Sequence, residues 1–122
     1  MDQIHGQREQ FYKLEIDGVC LLDSFESELP DNLAAERRSV YTRMQKKANG
    51  FHLPPEHYHP LGDLTFEFKT HHLRYYGIHL KRTGKIIVIG GFKGDQDSDI
   101  SRLNTISSAL IDSLQEPKKK IK

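Results

Sequence analysis

Hydrophobic and polar residues alternate through much of the second half of the chain, which is the pattern of β-strands. The alternation predicts strands over 64–69 and 73–80, joined by a short connection that contains His71 and His72. The run 85–92 is almost entirely apolar, as expected of a strand buried on both faces in mid-sheet. These three strands are expected to form an antiparallel meander.

Two stretches have helical spacing instead. Between Leu33 and Ala48 the apolar residues recur on one face, and Asp31 or Asn32 is the expected N-cap. From Ile100 to Leu114 they recur every three or four residues. The expected N-cap of this final helix is Ser98.

The N-terminal part and the region before the meander are less regular. Residues 11–16 alternate in part and end at Asp17-Gly18, which predicts a strand and a turn. Residues 19–22 either continue that strand or begin a short helix. Residues 51–62 hold three prolines and three histidines and are predicted to form a loop.

The element order is strand, one or two helices, three strands and a final helix. It predicts an α+β fold with a small, antiparallel-rich sheet. A length of 122 residues fits a single domain over 1–122. Its ordered core is expected over about 11–115, followed by a lysine-rich tail over 116–122.

The composition excludes several classes of protein. Apolar residues make up 36% and charged residues 29% of the chain, which is typical of a soluble globular protein. The longest apolar run, 86–89, is far shorter than the roughly 20 residues of a membrane-spanning helix. No secretory signal pattern follows Met1, and the single Cys20 rules out an internal disulfide. The expected compartment is the cytoplasm.

The net charge of +1 conceals a strong asymmetry along the chain. Residues 1–36 contain nine acidic and two basic side chains, whereas residues 37–94 contain eleven basic and three acidic ones. No carboxylate lies between Phe68 and Gly94. Either a polyanionic or acidic partner binds the basic middle, or the acidic N-terminal third folds against it and neutralises it.

Three segments carry a resemblance to a known family. Residues 60–69 are PLGDLTFEFK, residues 73–76 are LRYY and residues 86–93 are IIVIGGFK. This succession resembles the RelE/ParE-type toxins of bacterial toxin–antitoxin modules. In that family an aromatic-Glu-apolar-basic strand is followed by a strand that an Arg opens and by an aliphatic strand that ends in Gly-Phe-Lys. The resemblance covers about 60–114, and about 11–48 by element order alone.

The resemblance implies a small antiparallel sheet flanked by an N-terminal helical pair, and a cognate antitoxin that wraps the toxin. Most members are ribonucleases that cut mRNA, commonly on the ribosome, whereas the ParE-type branch poisons DNA gyrase without that chemistry. Two hypotheses follow. The chain is a metal-independent endoribonuclease of the RelE type, or it is a non-catalytic toxin-fold protein, gyrase-directed or inactive, that acts through protein–protein contacts.

RNA cleavage by internal attack needs a base for the 2′-hydroxyl, cations for the phosphorane charge and an acid for the leaving oxygen, and it needs no metal or other cofactor. Arg74 matches the family's strand-opening arginine and suits bidentate phosphate contact, with an ion pair to Glu67 as the alternative. Lys69 matches the family's basic residue two positions after the Glu. Lys93 follows the last strand, where family members place cationic site residues.

Histidine is the side chain suited to proton transfer near neutral pH. The candidates are His72, His79 and His71. In the family a catalytic His or Tyr usually follows the last strand, where this chain has three carboxylates instead, at Asp95, Asp97 and Asp99. These carboxylates either repel RNA, serve as the base or cap the final helix, and the helix cap is favoured.

Three other groups of residues have simple explanations. The segment His57-Tyr58-His59 is more typical of a surface loop than of a metal site, because no second ligand cluster accompanies it. The lysines of 118–122 are typical of a solvated terminus, with phosphate binding as the alternative. The basic residues of 37–47 are typical of a solvated helix face, with docking of an antitoxin or ribosomal RNA as the alternative.

Overall fold

A mixed six-stranded sheet organises the part of the chain that the computed structural model describes, which is residues 3–5, 10–80 and 84–115. The first strands in the chain are β1 (Gln3–His5) and β2 (Gln10–Lys13), followed by a separate hairpin of β3 (Glu15–Ile16) and β4 (Val19–Cys20). The later strands are β5 (Tyr58–Pro60), β6 (Thr65–Lys69), β7 (Leu73–Leu80) and β8 (Gly84–Phe92). The order across the sheet is β1-β2-β8-β7-β6-β5.

The predicted α+β fold and its three-strand meander are confirmed. β6, β7 and β8 pair antiparallel in sequence order, and β5 extends this arrangement at the edge. β2 lies on the other side of β8 and runs parallel to it, so the sheet is mixed. Because β8 has neighbours on both sides and helices cover both faces of the sheet, its nearly all-apolar sequence is explained.

Three α-helices cover the sheet: α1 (Leu21–Ser27), α2 (Ala34–Ala48) and α3 (Gln96–Gln115). Short 3-10 turns at Asp31–Leu33 and Lys93–Asp95 lead into α2 and α3. α1 and α2 pack on one face, around a core that includes Leu22, Met44 and Phe68. α3 packs on the other face, where Leu103 meets Tyr76 and Ile78. None of the helices in these described ranges is both long enough and apolar enough to cross a membrane.

Four local expectations are corrected. The strand expected over 11–16 is interrupted at Leu14, between β2 and β3, whereas the turn expected at Asp17-Gly18 is confirmed, and both of its residues have positive φ. α2 begins after Leu33 without a side-chain cap, because the expected capping residues lie in the preceding 3-10 turn. Residues 58–60 form β5 rather than a loop. α3 begins at Gln96, so Ser98 lies within its first turn and donates its hydroxyl to Asp95 O at 3.1 Å.

Two expectations lie outside the described residues in whole or in part. The lysine-rich tail over 116–122 is one of them, and part of the turn expected before β8 is the other.

Candidate active site

The β6–β7 hairpin turn, residues 70–73, forms one end of the sheet and brings several of the predicted site residues together. The backbone N–H of Thr70 donates to Leu73 O at 3.0 Å, and the N–H of Leu73 donates to the Thr70 hydroxyl at 3.1 Å. Two exposed side chains, His71 and His72, project from this closed turn. At its base, strand register places Lys69 directly opposite Arg74.

Arg74 braces this turn from the face of the sheet that α3 covers. Its Nη1 donates to Thr70 O at 2.6 Å and to Leu73 O at 2.8 Å, and the residue is 7% exposed. Its Nε donates to the side-chain oxygen of Gln96 at 3.3 Å when that amide is oriented to donate to Lys93 O. Arg74 therefore holds the shape of the turn and links it to the start of α3.

The alternative role foreseen for Arg74, an ion pair with Glu67, is not what the described side chains show. Glu67 Oε2 lies 3.8 Å from His59 Nδ1 and 3.9 Å from Lys69 Nζ. The Lys69 ammonium is partly exposed beside this carboxylate. Lys69 thus combines a local ion pair with a position beside Arg74 at the end of the sheet.

Lys93 joins the same end of the sheet, whereas His79 does not. The backbone N–H of Lys93 donates to His72 O at 2.9 Å, and Lys93 is exposed. His79 pairs in register with Lys85, five positions along β7 from Arg74. That separation is about 16 Å at roughly 3.3 Å per strand residue, and strand alternation places His79 on the opposite face from Arg74.

No pattern in the sequence indicates the carboxylate that holds His72. This carboxylate belongs to Glu36, in the first turn of α2, and its Oε2 lies 2.6 Å from His72 Nδ1. Its Oε1 accepts hydrogen bonds from the Thr70 hydroxyl at 2.6 Å and from the His72 backbone N–H at 2.8 Å. No helical or strand period links residues 36 positions apart, so a contact of this kind has no local signal.

The hydrogen bonds also fix the charge of Glu36. Desolvation by itself would raise the pKa of this carboxyl, but the bonds from His72 and Thr70 outweigh it and lower the pKa to about 2. Glu36 is therefore a carboxylate at neutral pH. It lies on the α2 side of the hairpin turn, while Arg74 lies on the α3 side.

Basic residues of α2 continue along the same flank. The guanidinium of Arg43 donates to Lys69 O, and Lys46 is exposed one turn further on. Burial, with Arg43 and Lys46 nearby, lowers the pKa of His57. A cation thus lies on each side of the hairpin turn, Arg43 on the α2 side and Arg74 on the α3 side.

Three buried oxygen atoms under the first turn of α3 have no hydrogen-bond partner among the described residues. They are Glu67 Oε1, Tyr76 OH and Asp99 Oδ2. Burial, with Glu67 and Asp99 nearby, raises the pKa of the Tyr76 phenol, and burial with Asp95 nearby raises the pKa of Asp99. The Asp99 carboxylate packs directly against Gly91. A Cβ atom added to Gly91 would lie only 1.9 Å from Asp99 Oδ2.

The three carboxylates after β8 thus differ in their surroundings. Asp99 is buried, whereas Asp95 and Asp97 are exposed around the start of α3. Within the described ranges, no group of three or more His, Cys, Asp or Glu side chains is arranged to hold a metal ion.

No family model, no curated protein and no solved structure matches this chain. The resemblance to the RelE/ParE-type toxins accordingly rests on the residues quoted for it above.

Proposed function

We propose that this chain is the toxin of a type II toxin–antitoxin module and acts as a metal-independent endoribonuclease on mRNA. One observation carries the proposal: beside the hairpin turn at residues 70–73, Lys69 and Lys93 accompany an exposed imidazole, that of His72, whose Nδ1 faces a carboxylate. The sequence resemblance and the acid-free stretch between Phe68 and Gly94 support the same function.

The chemistry is internal transesterification. The 2′-oxygen loses its proton and bonds to phosphorus, the bond from phosphorus to the 5′-oxygen breaks, and that oxygen takes up a proton. The exposed Lys93 and the partly exposed Lys69 are the cations that face a phosphate. Arg74 supports the turn, and its guanidinium adds positive charge at this end of the sheet.

The proposed macromolecular partners are an mRNA, cleaved either free or on the ribosome, and a cognate antitoxin. An acidic antitoxin segment or ribosomal RNA suits the basic flank of α2, where Arg38 and Lys46 are exposed. Charge complementarity of this kind increases the rate of association more than it increases affinity.

A second candidate function, a non-catalytic toxin-fold protein that acts through protein contacts, is favoured by two observations. Arg74 is nearly buried and bonded to carbonyl oxygens, and the face that it shares with Lys69 carries the carboxylates Glu67 and Asp99. Carboxylates close to a phosphate oppose its binding by about 1 kcal/mol or more per close pair.

Induced expression in bacteria separates the two candidates. Wild type, His72→Ala and Lys93→Ala are compared with His52→Ala, an exposed histidine in the segment before β5 that serves as the matched control. Growth arrest with cleaved transcripts for wild type and His52→Ala, weakened in the other two variants, supports the endoribonuclease. Arrest with intact mRNA supports the binding protein instead. Growth and mRNA that match an empty vector contradict the endoribonuclease and agree with an inactive toxin-fold protein.

A further inference from the structure

We propose that Glu36 and His72 form a catalytic dyad, in which His72 Nε2 removes the proton from the 2′-hydroxyl and Glu36 is the residue that positions the imidazole. This inference rests on the proposed endoribonuclease function. It supplies the base that the segment after the last strand lacks, and it takes that base from the β6–β7 turn.

The geometry fixes the tautomer of the imidazole. Glu36 Oε2 lies 2.6 Å from His72 Nδ1, and a carboxylate accepts hydrogen bonds but has no proton to donate. Nδ1 must therefore carry the hydrogen. In the neutral ring the lone pair then lies on Nε2, which is the arrangement that a general base requires.

The carboxylate is itself held in place. Its other oxygen accepts from the Thr70 hydroxyl and from the His72 backbone N–H. The Thr70 hydroxyl also accepts the N–H of Leu73, and Thr70 O accepts a bond from Arg74. A surface ion pair needs none of this support, and an isolated one contributes little to stability. The extra bonds define one orientation of the ring.

The base nitrogen is accessible. The His72 side chain is 57% exposed, and within the described ranges no residue hydrogen-bonds to Nε2. The ring of His71 packs edge-on against that of His72, with centroids 4.3 Å apart, which restricts the imidazole further. The backbone N–H of Lys93 donates to His72 O, so the exposed Lys93 belongs to the same end of the sheet as the base.

The other two histidine candidates are placed differently. His79 lies at the far end of β7 on the opposite face of the sheet from Arg74. His71 contacts the His72 ring but has no carboxylate among its contacts in the described structure. His72 is therefore the histidine that the fold equips for proton transfer.

His72 Nε2 takes the 2′-hydroxyl proton while the 2′-oxygen bonds to phosphorus. The bond from phosphorus to the 5′-oxygen breaks, and the departing oxygen takes a proton from solvent water, which reaches this exposed turn. The products are a 2′,3′-cyclic phosphate and a 5′-hydroxyl, with no change in oxidation state.

The test uses the purified full chain and an mRNA transcript, both free and in a translating ribosomal extract. We expect His72→Ala to lower kcat by 10²-fold or more at nearly unchanged KM. Added imidazole is expected to restore part of the activity of His72→Gly. Glu36→Gln is expected to lower kcat about tenfold, and His52→Ala is expected to match wild type.

A spectroscopic readout tests the positioning role without RNA. Imidazole ¹⁵N NMR of the wild type is expected to show the Nδ1–H tautomer of His72, and Glu36→Gln is expected to show a mixture of tautomers. Thermal unfolding of each variant checks that it folds. Glu36→Asp, which keeps the carboxylate, is expected to retain more activity than Glu36→Gln.

The outcomes separate the two proposals. If wild type cleaves mRNA and both His72→Ala and Glu36→Gln retain wild-type kcat, the dyad is overturned while the endoribonuclease function stands. A His72 tautomer that is unaffected by Glu36→Gln overturns the positioning role of Glu36. If wild type itself leaves mRNA intact in both settings, the proposed function fails, and with it the role of His72 as a base.

Discussion

Tyr75 donates a 2.5 Å hydrogen bond to Glu26, a residue 49 positions earlier in the chain. The same carboxylate oxygen accepts a bond from the Tyr41 hydroxyl at 2.8 Å and lies 3.3 Å from Arg37 Nε. With its side chain 7% exposed, Glu26 joins α1, α2 and β7 through one buried anion. A buried carboxylate is tolerated because its partners compensate for the lost hydration.

Glu26→Gln is expected to destabilise the fold. The substitution removes the negative charge that faces Arg37 and weakens the acceptor that both phenols share, so the free energy of unfolding should fall by about 2 kcal/mol. Urea unfolding at pH 7 measures the change. Glu28→Gln, at an exposed position in the same segment, is the control and should stay within about 0.5 kcal/mol of wild type. Equal stability of the two variants would contradict the account.

The lowered pKa of Glu36 predicts a loss of stability in acid. The pKa of this carboxyl is about 2 in the folded chain and 4.5 for the unperturbed group. Its contribution is therefore fully present above pH 4.5 and is lost as the pH falls through 2. Because solvent around the exposed His72 weakens the interaction, we expect Glu36 to contribute about 2 kcal/mol to the free energy of unfolding at neutral pH.

Unfolding free energies at pH 7, 4 and 3 test this prediction. The difference between wild type and Glu36→Gln should shrink steadily over that range. Glu56→Gln, an exposed carboxyl in the segment before β5, should track wild type throughout. A difference for Glu36→Gln that is constant with pH would mean that the carboxylate is not held as described.

The raised pKa of Asp99 predicts that its contribution to stability depends on pH in the opposite direction. Because burial and Asp95 raise its pKa, the native state binds a proton more readily than the unfolded chain does, and this group favours folding more as the pH falls. Asp99→Asn removes the desolvated charge and should stabilise the fold by about 1 kcal/mol at pH 7. The gain should disappear in acid, where wild-type Asp99 is protonated. Destabilisation by this variant at pH 7 would contradict the prediction.

Gly77 marks a close approach between neighbouring strands of the sheet. A Cβ at this position would lie 2.3 Å from Ile86 O and 2.3 Å from the Phe66 ring, and the register between β7 and β8 shifts at Tyr76/Gly77. Backbone and a packed aromatic ring cannot move aside cheaply, so Gly77→Ala should cost about 3 kcal/mol or more. In Gly62→Ala the new methyl group would be in ordinary van der Waals contact with Thr65, so this control variant should leave the stability nearly unchanged. Thermal unfolding of the two variants compares them.

The parts of the fold that the sequence predicts are those specified by local pattern. The alternation in β6 and β7 and the apolar run of β8 indicate strands because neighbouring residues on one strand face the same environment. β5 was missed because a proline-containing edge strand depends on its partner β6 and has no strong pattern of its own. The parallel pairing of β2 with β8 joins residues that are far apart in the chain, such as Phe11 and Lys85, and periodicity does not reveal such a pairing.

The residues of the candidate site also differ in whether the sequence indicates them. Arg74, Lys69 and Lys93 were identified by their place in a resemblance, and strand register brings the first two together. The near-complete burial of Arg74 depends on the turn and on Gln96, which no pattern indicates. Glu36 was missed because helix packing alone brings the first turn of α2 to the β6–β7 turn.

The end groups of cleaved mRNA test the central claim most directly. After induction in bacteria, fragments from cells expressing wild type or His52→Ala should carry 2′,3′-cyclic phosphate and 5′-hydroxyl ends, since internal transesterification leaves those groups. Cells expressing His72→Ala should lack them. Intact mRNA in wild-type cells, or fragments with 5′-phosphate ends that persist in His72→Ala, would contradict the account.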